Sequence, residues 1–292
     1  MNRLYIFLLA GLLFLSCKKS KEIDHAGGFE IGKPLAEIED KRLEELSGIS
    51  ESIRNPGYLW VENDGGNDAK IFLINKKANI KLTCILKGIK NRDWEDIAVG
   101  PGPEEGKTYI YIAEIGDNNA VYPLKYIYRF EEPVLGSDKK IEITHIDTIT
   151  FKLSDSQKDT ETLLLDPLTK DLYLLSKREE PVHLYQLKYP YSTTDTITAE
   201  SVLTLPLTQL TGGDISPDGK EIVIKNYDDI FYYKREEGKD LIEALKQKPI
   251  VLSYEPEPQG EAVAWARDGS GFYTASEAVT GETSFLLFYK RK

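Results

Sequence analysis

Five polar residues recur along the chain, each at the start of a short apolar run that is followed by a turn and a second apolar run. The intervals between successive members are 48, 66, 53 and 47 residues. The five positions are Ser47, Glu95, Glu161, Asp214 and Glu261. Because four of them are acids that recur once per repeat, we expect a ring of repeats to gather their carboxylates in one place.

Gathered carboxylates repel one another unless a cation, neighbouring Lys and Arg residues, or retained protons relieve the repulsion. The oxygen-rich set favours Ca²⁺, which accepts six to eight carboxylate, carbonyl and water oxygens. Cysteine is absent from these positions and no histidine occupies one, which argues against zinc and copper. We therefore predict a calcium site formed by the five residues. Two alternatives stay open: hydrogen bonds to the backbone of the next repeat, and direct catalysis, for which Glu95 and Glu161 are the candidates.

A second polar set ends the strand that follows each repeat start. Antiparallel neighbours place the start of one strand beside the end of the next, so both sets are predicted to face the same mouth. The lysines of this set could bind a phosphate or carboxylate, or could balance the acids around them. The predicted ligand-binding residues are Asp64, Glu114, Asp117, Lys177, Lys225, Tyr227 and Glu277.

The elements that must position these residues are short β-strands. Each repeat has the length of a four-stranded propeller blade and continues with two further strand-like runs. The last repeat is one strand short, and an unmatched strand over residues 29–38 could complete it. The pattern predicts an all-β, five-bladed β-propeller over residues 28–292, with a six-bladed ring as the alternative.

The composition excludes several classes of protein. The chain of 292 residues has 37 Lys and Arg against 48 Asp and Glu, a formal net charge of −11, which argues against nucleic-acid binding. Two cysteines cannot build a disulfide framework. Cys84 lies in an apolar run and is predicted to be a buried free thiol.

The amino terminus has the pattern of an export signal. Arg3 precedes an apolar run of about a dozen residues, which is too short for a comfortable membrane span. The pair Ser16–Cys17 resembles the bacterial lipobox, in which the cysteine is lipidated and becomes the first mature residue. We predict a lipoprotein signal peptide over 1–16, with lipidated Cys17 and a polar tether over 17–27. An ordinary signal peptide is the alternative. Lys18 favours the outer membrane, and the sequence does not indicate which membrane side the domain faces.

Sequence blocks shared with known proteins support the same architecture. The blocks over 93–98, 114–118, 159–167, 213–219 and 260–265 together resemble a family of bacterial secreted or lipid-anchored propeller proteins of uncharacterised function. A weaker similarity, through 45–48, is to the five-bladed calcium-activated nucleotidases (apyrases). That resemblance implies a central Ca²⁺ near Ser47, Glu95, Glu161 and Glu261, with Asp214 where that family has Ser. The nucleotide-binding Arg and Trp loops of the nucleotidases are not recognisable here.

These observations predict an envelope-exposed, monomeric protein that is anchored to the membrane by its lipid and binds a ligand at an acidic mouth. The partner could be a small anionic molecule, a sugar or another protein. A calcium-dependent hydrolase of a phosphorylated or sugar substrate is the alternative. No Gly-x-Ser-x-Gly elbow and no P-loop occurs in the sequence, so any hydrolysis would rely on carboxylates or the metal.

Overall fold

The computed structural model describes residues 28–292, so the predicted signal peptide, Cys17 and the tether lie outside the described residues. The described chain is almost entirely β-structure. In chain order the strands are β1 (Lys33–Glu37), β2 (Leu46–Glu51), β3 (Tyr58–Asn63), β4 (Lys70–Asn75), β5 (Ile80–Leu86), β6 (Trp94–Pro101), β7 (Thr108–Glu114), β8 (Lys125–Glu131), β9 (Lys140–Ile143), β10 (Asp147–Leu153), β11 (Thr160–Leu165), β12 (Leu172–Ser176), β13 (Val182–Leu187), β14 (Ile197–Leu205), β15 (Leu210–Ile215), β16 (Glu221–Asn226), β17 (Ile230–Lys234), β18 (Ile250–Leu252), β19 (Gln259–Trp265), β20 (Gly271–Glu277) and β21 (Phe285–Lys290).

Helical structure is confined to two short pieces. A 3-10 turn spans Lys41–Leu43, and the helix α1 spans Leu241–Leu245. Asp240 caps α1 by accepting a hydrogen bond from the Glu243 amide at 2.7 Å. Within residues 28–292, no helix is long and apolar enough to cross a membrane.

The strands form four sheets with a propeller-like arrangement. Their orders are β2-β3-β4-β5-β9, β15-β16-β17-β18, β1-β21-β20-β19 and an eight-stranded β11-β12-β13-β14-β10-β8-β7-β6. The eight-stranded sheet consists of two antiparallel units whose outer strands, β10 and β14, pair in parallel. The inner strands contact one another in the closed order β2, β6, β11, β15, β19 and back to β2.

The amino-terminal strand completes the last sheet, as the sequence predicts. β1 pairs antiparallel with β21, and Phe29 forms an isolated bridge to Arg291. The Phe29 ring also packs against Trp265 and Phe272, with centroids 5.8 and 5.1 Å away. The outer edge of this sheet is thereby covered by the beginning of the domain.

Apolar side chains fill the spaces between neighbouring sheets. One such cluster joins Trp60 and Ile71 of the first sheet to Trp94 and Ile110 of the next. Cys84 belongs to the same cluster and is a free, fully buried thiol, as predicted. Its burial raises the pKa of the Cys84 thiol to about 12, so this residue behaves as a small apolar side chain.

Candidate functional site

The inner strands share a local irregularity that fixes the site. In each, pairing to the second strand starts with one or two residues, is interrupted by a β-bulge residue, and then resumes. A bulge places one extra residue out of register and re-aims its side chain. The bulge positions are Ser47, Glu95, Glu161, Thr211 and Glu261. We call the end of the ring where they lie the mouth.

A cavity of about 290 Å³ opens at the mouth. Carboxylate oxygens of Asp64, Asp93 and Glu95 all lie within 4.8 Å of one another, and so do those of Glu95, Asp159 and Glu161. Glu95 therefore belongs to both groups. The lining residues of the cavity are Asp64, Glu95, Asn118, Glu161, Lys177, Arg178, Gln209, Tyr227, Gln259 and Glu261.

Basic side chains neutralise only one of the two groups. Lys177 Nζ lies 2.9 Å from Glu161 Oε2, and Arg178 Nε donates to Asp159 Oδ2 at 2.7 Å. Within residues 28–292, no Lys or Arg forms an ion pair with Asp64, Asp93 or Glu95. The Asp64–Asp93–Glu95 group therefore has no direct ion pair, although the charges of Lys177 and Arg92 oppose the upward pKa shifts of Asp64 and Asp93.

Glu95 is buried where the two groups meet. Its carboxyl group lies beside that of Glu161, with oxygens of the two groups within 4.8 Å of each other. Two carboxyls in contact can share a proton or share a cation. Burial, together with the neighbouring charges of Glu161, Asp64 and Asp93, raises the pKa of Glu95 well above its usual range.

The pKa values of the neighbouring acids are raised as well. Burial raises the pKa of Asp64 to about 6, and burial with repulsion from Asp159 raises that of Asp93. Burial raises the pKa of Glu161 to about 8, although Lys177 opposes that shift. Burial alone would lower the pKa of Lys177. The charges of Glu161 and Glu261 have the larger effect, so the pKa of Lys177 is raised. A cation among these oxygens would relieve the repulsion that drives the shifts.

Glycines make room for the crowded carboxylates. A Cβ atom at Gly116 would lie 1.9 Å from Glu95 Oε1, and one at Gly48 would lie 2.5 Å from Glu62 Oε1. Glu62 is fully buried, and neither of its carboxylate oxygens has a hydrogen-bond partner among the described residues. Burial and the charges of Asp64 and Asp96 raise the pKa of Glu62. Any side chain at Gly116 or Gly48 would displace an acid of the site.

The other side of the mouth is tied together by neutral donors. Ser47 Oγ lies 2.9 Å from the Glu95 carbonyl oxygen and 3.2 Å from Glu261 Oε2. Tyr227 donates its hydroxyl to Glu261 Oε1 at 2.9 Å. Gln259 donates to Glu277 at 2.7 Å, and burial with repulsion from Glu261 raises the pKa of Glu277 to about 8. Ser47, Tyr227, Glu261 and Glu277 therefore meet at the mouth, as the sequence predicts.

The predicted place of Asp214 is wrong. β15 begins at Leu210, so the bulge position belongs to Thr211, and Asp214 lies three residues farther along the strand. Its carboxylate accepts hydrogen bonds at 2.8 Å from the amides of Ile215 and Trp265. The sequence comparison matched acid to acid, whereas the register of β15 against β16 places a neutral threonine in the ring.

Three predicted ligand-binding residues support the fold instead of lining the cavity. Glu114 accepts from the amides of Arg92 and Asp93 at 3.0 and 2.8 Å. Asp117 accepts from two amides of the loop that follows it, each at 2.8 Å. Lys225 is fully buried and donates to the Gly260 carbonyl.

Asp214→Asn tests the corrected placement. Because Asn keeps one acceptor oxygen and brings an NH₂ group towards a backbone N–H, we expect a loss of about 1 to 3 kcal/mol in the free energy of unfolding. Calcium affinity should be unchanged. Urea unfolding and calorimetry of the variant measure both quantities, with the exposed Asp138→Asn as the matched control. Loss of calcium binding at unchanged stability would return Asp214 to the predicted calcium site.

Sequence reasoning assigned no ligand role to Asn118, Gln209 or Gln259, which line the cavity. Asp93 and Asp159, which complete the two acidic groups, are also outside the predicted set of site residues. The signal available in the sequence was the pair of acids around each repeat start, Asp93 with Glu95 and Asp159 with Glu161. In each pair the second acid is itself the bulge residue, and its carboxylate lies close to that of the first.

Comparison with known proteins supports the fold. No family model and no curated protein matches the chain. Among solved structures, the chain is similar to the PQQ-bound form of an aldose sugar dehydrogenase from Streptomyces coelicolor. The TM-score is 0.51 with 11% sequence identity, over 90% of this chain and 98% of that chain. At this identity the similarity shows a shared propeller-like, all-β fold and nothing about chemistry.

Proposed function

We propose that this protein is a lipid-anchored cell-envelope β-propeller whose acidic mouth binds one Ca²⁺ and, with it, a ligand or partner. The observation that carries the proposal is the Asp64–Asp93–Glu95 group, which has no basic partner within residues 28–292 and shares Glu95 with a second group. Hard carboxylate oxygens fit Ca²⁺ in number and type. Bound Ca²⁺ would supply fixed positive charge at the cavity, where a carboxylate, phosphate or sugar hydroxyl could coordinate it.

The number of blades, the lipid anchor and the monomeric state are part of the same proposal. Five four-stranded units, with inner strands in closed contact and β1 completing the last unit, support a five-bladed ring over residues 28–292. The sequence pattern over 1–17 supports export and lipidation, with the outer membrane as the destination. We propose that the protein is a monomer, because the ring closes within one chain.

The geometry favours ion binding over sugar hydrolysis by Glu95 and Glu161. An oxygen of each carboxyl group lies within 4.8 Å of an oxygen of the other. Glycosidase carboxyl pairs stand about 5–5.5 Å apart in retaining enzymes and about 6.5–9.5 Å apart in inverting ones. The closer approach of Glu95 and Glu161 suits a shared cation better than a pair that must flank a glycosidic bond. The similarity to a sugar dehydrogenase supports only the shared fold, so we do not propose a PQQ site.

Isothermal titration of protein freed of metal on a chelating resin tests the function. We expect one Ca²⁺ per chain and affinity for Mg²⁺ weaker by about tenfold or more, because Mg²⁺ demands a regular octahedron that this crowded set does not offer. Chelation should lower the melting temperature by an amount that calcium restores. No heat with either ion, together with an unchanged melting temperature, would overturn the metal proposal.

A further inference from the structure

The end of the ring opposite the mouth carries a separate cavity of about 530 Å³. Its walls are the turns that join each inner strand to the second strand, together with the last residues of the inner strands. The apolar members of the lining include Ile53, Pro56, Val99, Leu165, Ile215 and Pro217. Its size and its largely apolar walls are those of small-molecule sites, which are commonly about 300–1,000 Å³.

The walls of this cavity are stiff. Pro56, Pro101, Pro167 and Pro217 come from the turns of four successive units, and each pyrrolidine ring fixes its own φ. Val99 and Ile215, which line the cavity, belong to inner strands that contact their neighbours on both sides. A cavity built this way exists before a ligand arrives, which lowers the entropy cost of binding.

The guanidinium group of Arg267 lines the cavity and has one nitrogen, Nη1, that is not engaged in a hydrogen bond to any described residue. Arg267 Nε donates to the Glu51 carbonyl at 2.9 Å, and Nη2 donates to the Val99 carbonyl at 2.7 Å. Nη2 also lies 3.3 Å from Ser50 Oγ. Among the described residues, Nη1 has no hydrogen-bond partner, and no carboxylate forms an ion pair with Arg267. Its charge also lowers the pKa of Asp214 in the same cavity, but within residues 28–292 the two side chains form no ion pair.

The carboxylates that line the cavity already accept hydrogen bonds from backbone amides of the protein. Glu51 Oε2 accepts from the Arg267 amide at 2.6 Å, and its Oε1 lies 3.7 Å from Lys76 Nζ. Both oxygens of Asp214 accept backbone amides. Asp268 accepts from the Ser270 amide within its own turn. The cavity therefore combines apolar walls and one unused cationic donor with acids that are engaged elsewhere.

From this arrangement we propose a second binding site, specific for a small organic acid with an apolar body. The apolar part would fill the proline-lined space, and the carboxylate would accept hydrogen bonds from Arg267, with Lys76 at the rim. Hydrogen bonds between a guanidinium and a carboxylate are among the strongest that proteins make. The site is independent of the mouth and does not require calcium.

Titration of the full domain with three eight-carbon probes tests this site. Octanoate, octan-1-ol and octylamine share a chain and differ only in the head group. We expect octanoate to bind saturably at one site per chain, about tenfold or more tighter than octanol, with octylamine weakest. The Arg267→Gln variant should reduce octanoate affinity to that of octanol. Chelation of calcium should leave the binding of octanoate unchanged.

Arg267 also links inner strands, so its substitution could impair folding. Ile53→Asp is a second variant, which changes an exposed side chain at the rim of the cavity and should weaken octanoate binding about tenfold or more. Leu35→Asp on β1 is the control, because Leu35 is equally exposed, and it should leave octanoate binding unchanged. Octylamine binding as tightly as octanoate would overturn the proposal, and so would equal affinity for octanol. Absence of saturable binding, or an equal effect of Ile53→Asp and Leu35→Asp, would also overturn it.

Discussion

Glu95→Gln is expected to abolish calcium-dependent stabilisation while making the metal-free protein more stable. The substitution replaces a buried acid whose ionisation is opposed by burial and by the neighbouring charge of Glu161, and it gives Glu161 a permanent amide donor. We expect the metal-free free energy of unfolding at pH 7 to rise by about 1 to 3 kcal/mol. Calcium affinity should fall by about a hundredfold or more, because Glu95 belongs to both groups of candidate ligands.

The opposite signs of these two effects separate ion binding from a purely structural role. If the acids only held the ring together, Glu95→Gln would lower stability and leave every ligand response unchanged. Urea unfolding with and without calcium measures both quantities in one experiment. The exposed Glu105→Gln serves as a control and should change stability by less than about 0.5 kcal/mol.

Glu161→Gln provides the contrast within the site. Glu161 also neutralises Lys177, whose ammonium group lies 2.9 Å from Glu161 Oε2. Its substitution leaves that buried cation without its close partner, which is strongly unfavourable. We expect Glu161→Gln to lower the stability of the metal-free protein, although it removes the same charge as Glu95→Gln. Equal effects of the two substitutions would contradict the charge distribution described here.

The second large effect is the pH dependence of stability. An acid whose pKa is higher in the folded than in the unfolded state binds more protons when folded, so stability falls as pH rises between the two values. The ordinary values are 3.8 for Asp and 4.5 for Glu, against about 6 for Asp64 and about 8 for Glu161 and Glu277. Metal-free protein should therefore lose stability from about pH 4.5 to about pH 8.

Calcium should reverse this loss, since the ion binds the deprotonated acids. One pKa unit corresponds to about 1.4 kcal/mol, so each of the three shifts amounts to about 3 to 5 kcal/mol before solvent screening and coupling between the acids reduce it. We expect the melting temperature of the metal-free protein to fall by at least about 5 to 10 °C over this range. Melting curves from pH 5 to pH 8, with resin-treated protein and with excess calcium, measure the difference. We expect the stabilisation by calcium to grow as pH rises. A metal-free melting temperature that is flat or rises over this range would contradict the assignment.

The propeller-like fold could be predicted because its repeat unit is local. A polar start, a short apolar run, a turn with Pro, Gly or Asp and a second strand can be recognised without knowing what the strands contact. The closing strand was predictable because the last repeat lacked a member. Most of the ring acids followed, since Glu95, Glu161 and Glu261 each begin an inner strand.

The errors arose where side-chain direction depends on pairing between strands. A shift of one residue turns a side chain from the cavity to the sheet interior. Glu114 and Lys225 lie on the predicted strands, but their side chains bond to backbone groups and do not line the cavity. Asp214 was aligned by residue type, although the register of β15 gives the ring position to Thr211. The Arg267 cavity could not be predicted, because its walls come from turns far apart in the sequence.

Anomalous X-ray scattering from crystals grown with calcium tests the central claim most directly. We predict one anomalous difference peak at the mouth, about 2.3–2.6 Å from carboxylate oxygens that include those of Glu95 and Asp64. The same peak should be absent from crystals of the Glu95→Gln variant. A mouth without a peak at saturating calcium, with Glu95 and Glu161 still in contact, would contradict the account.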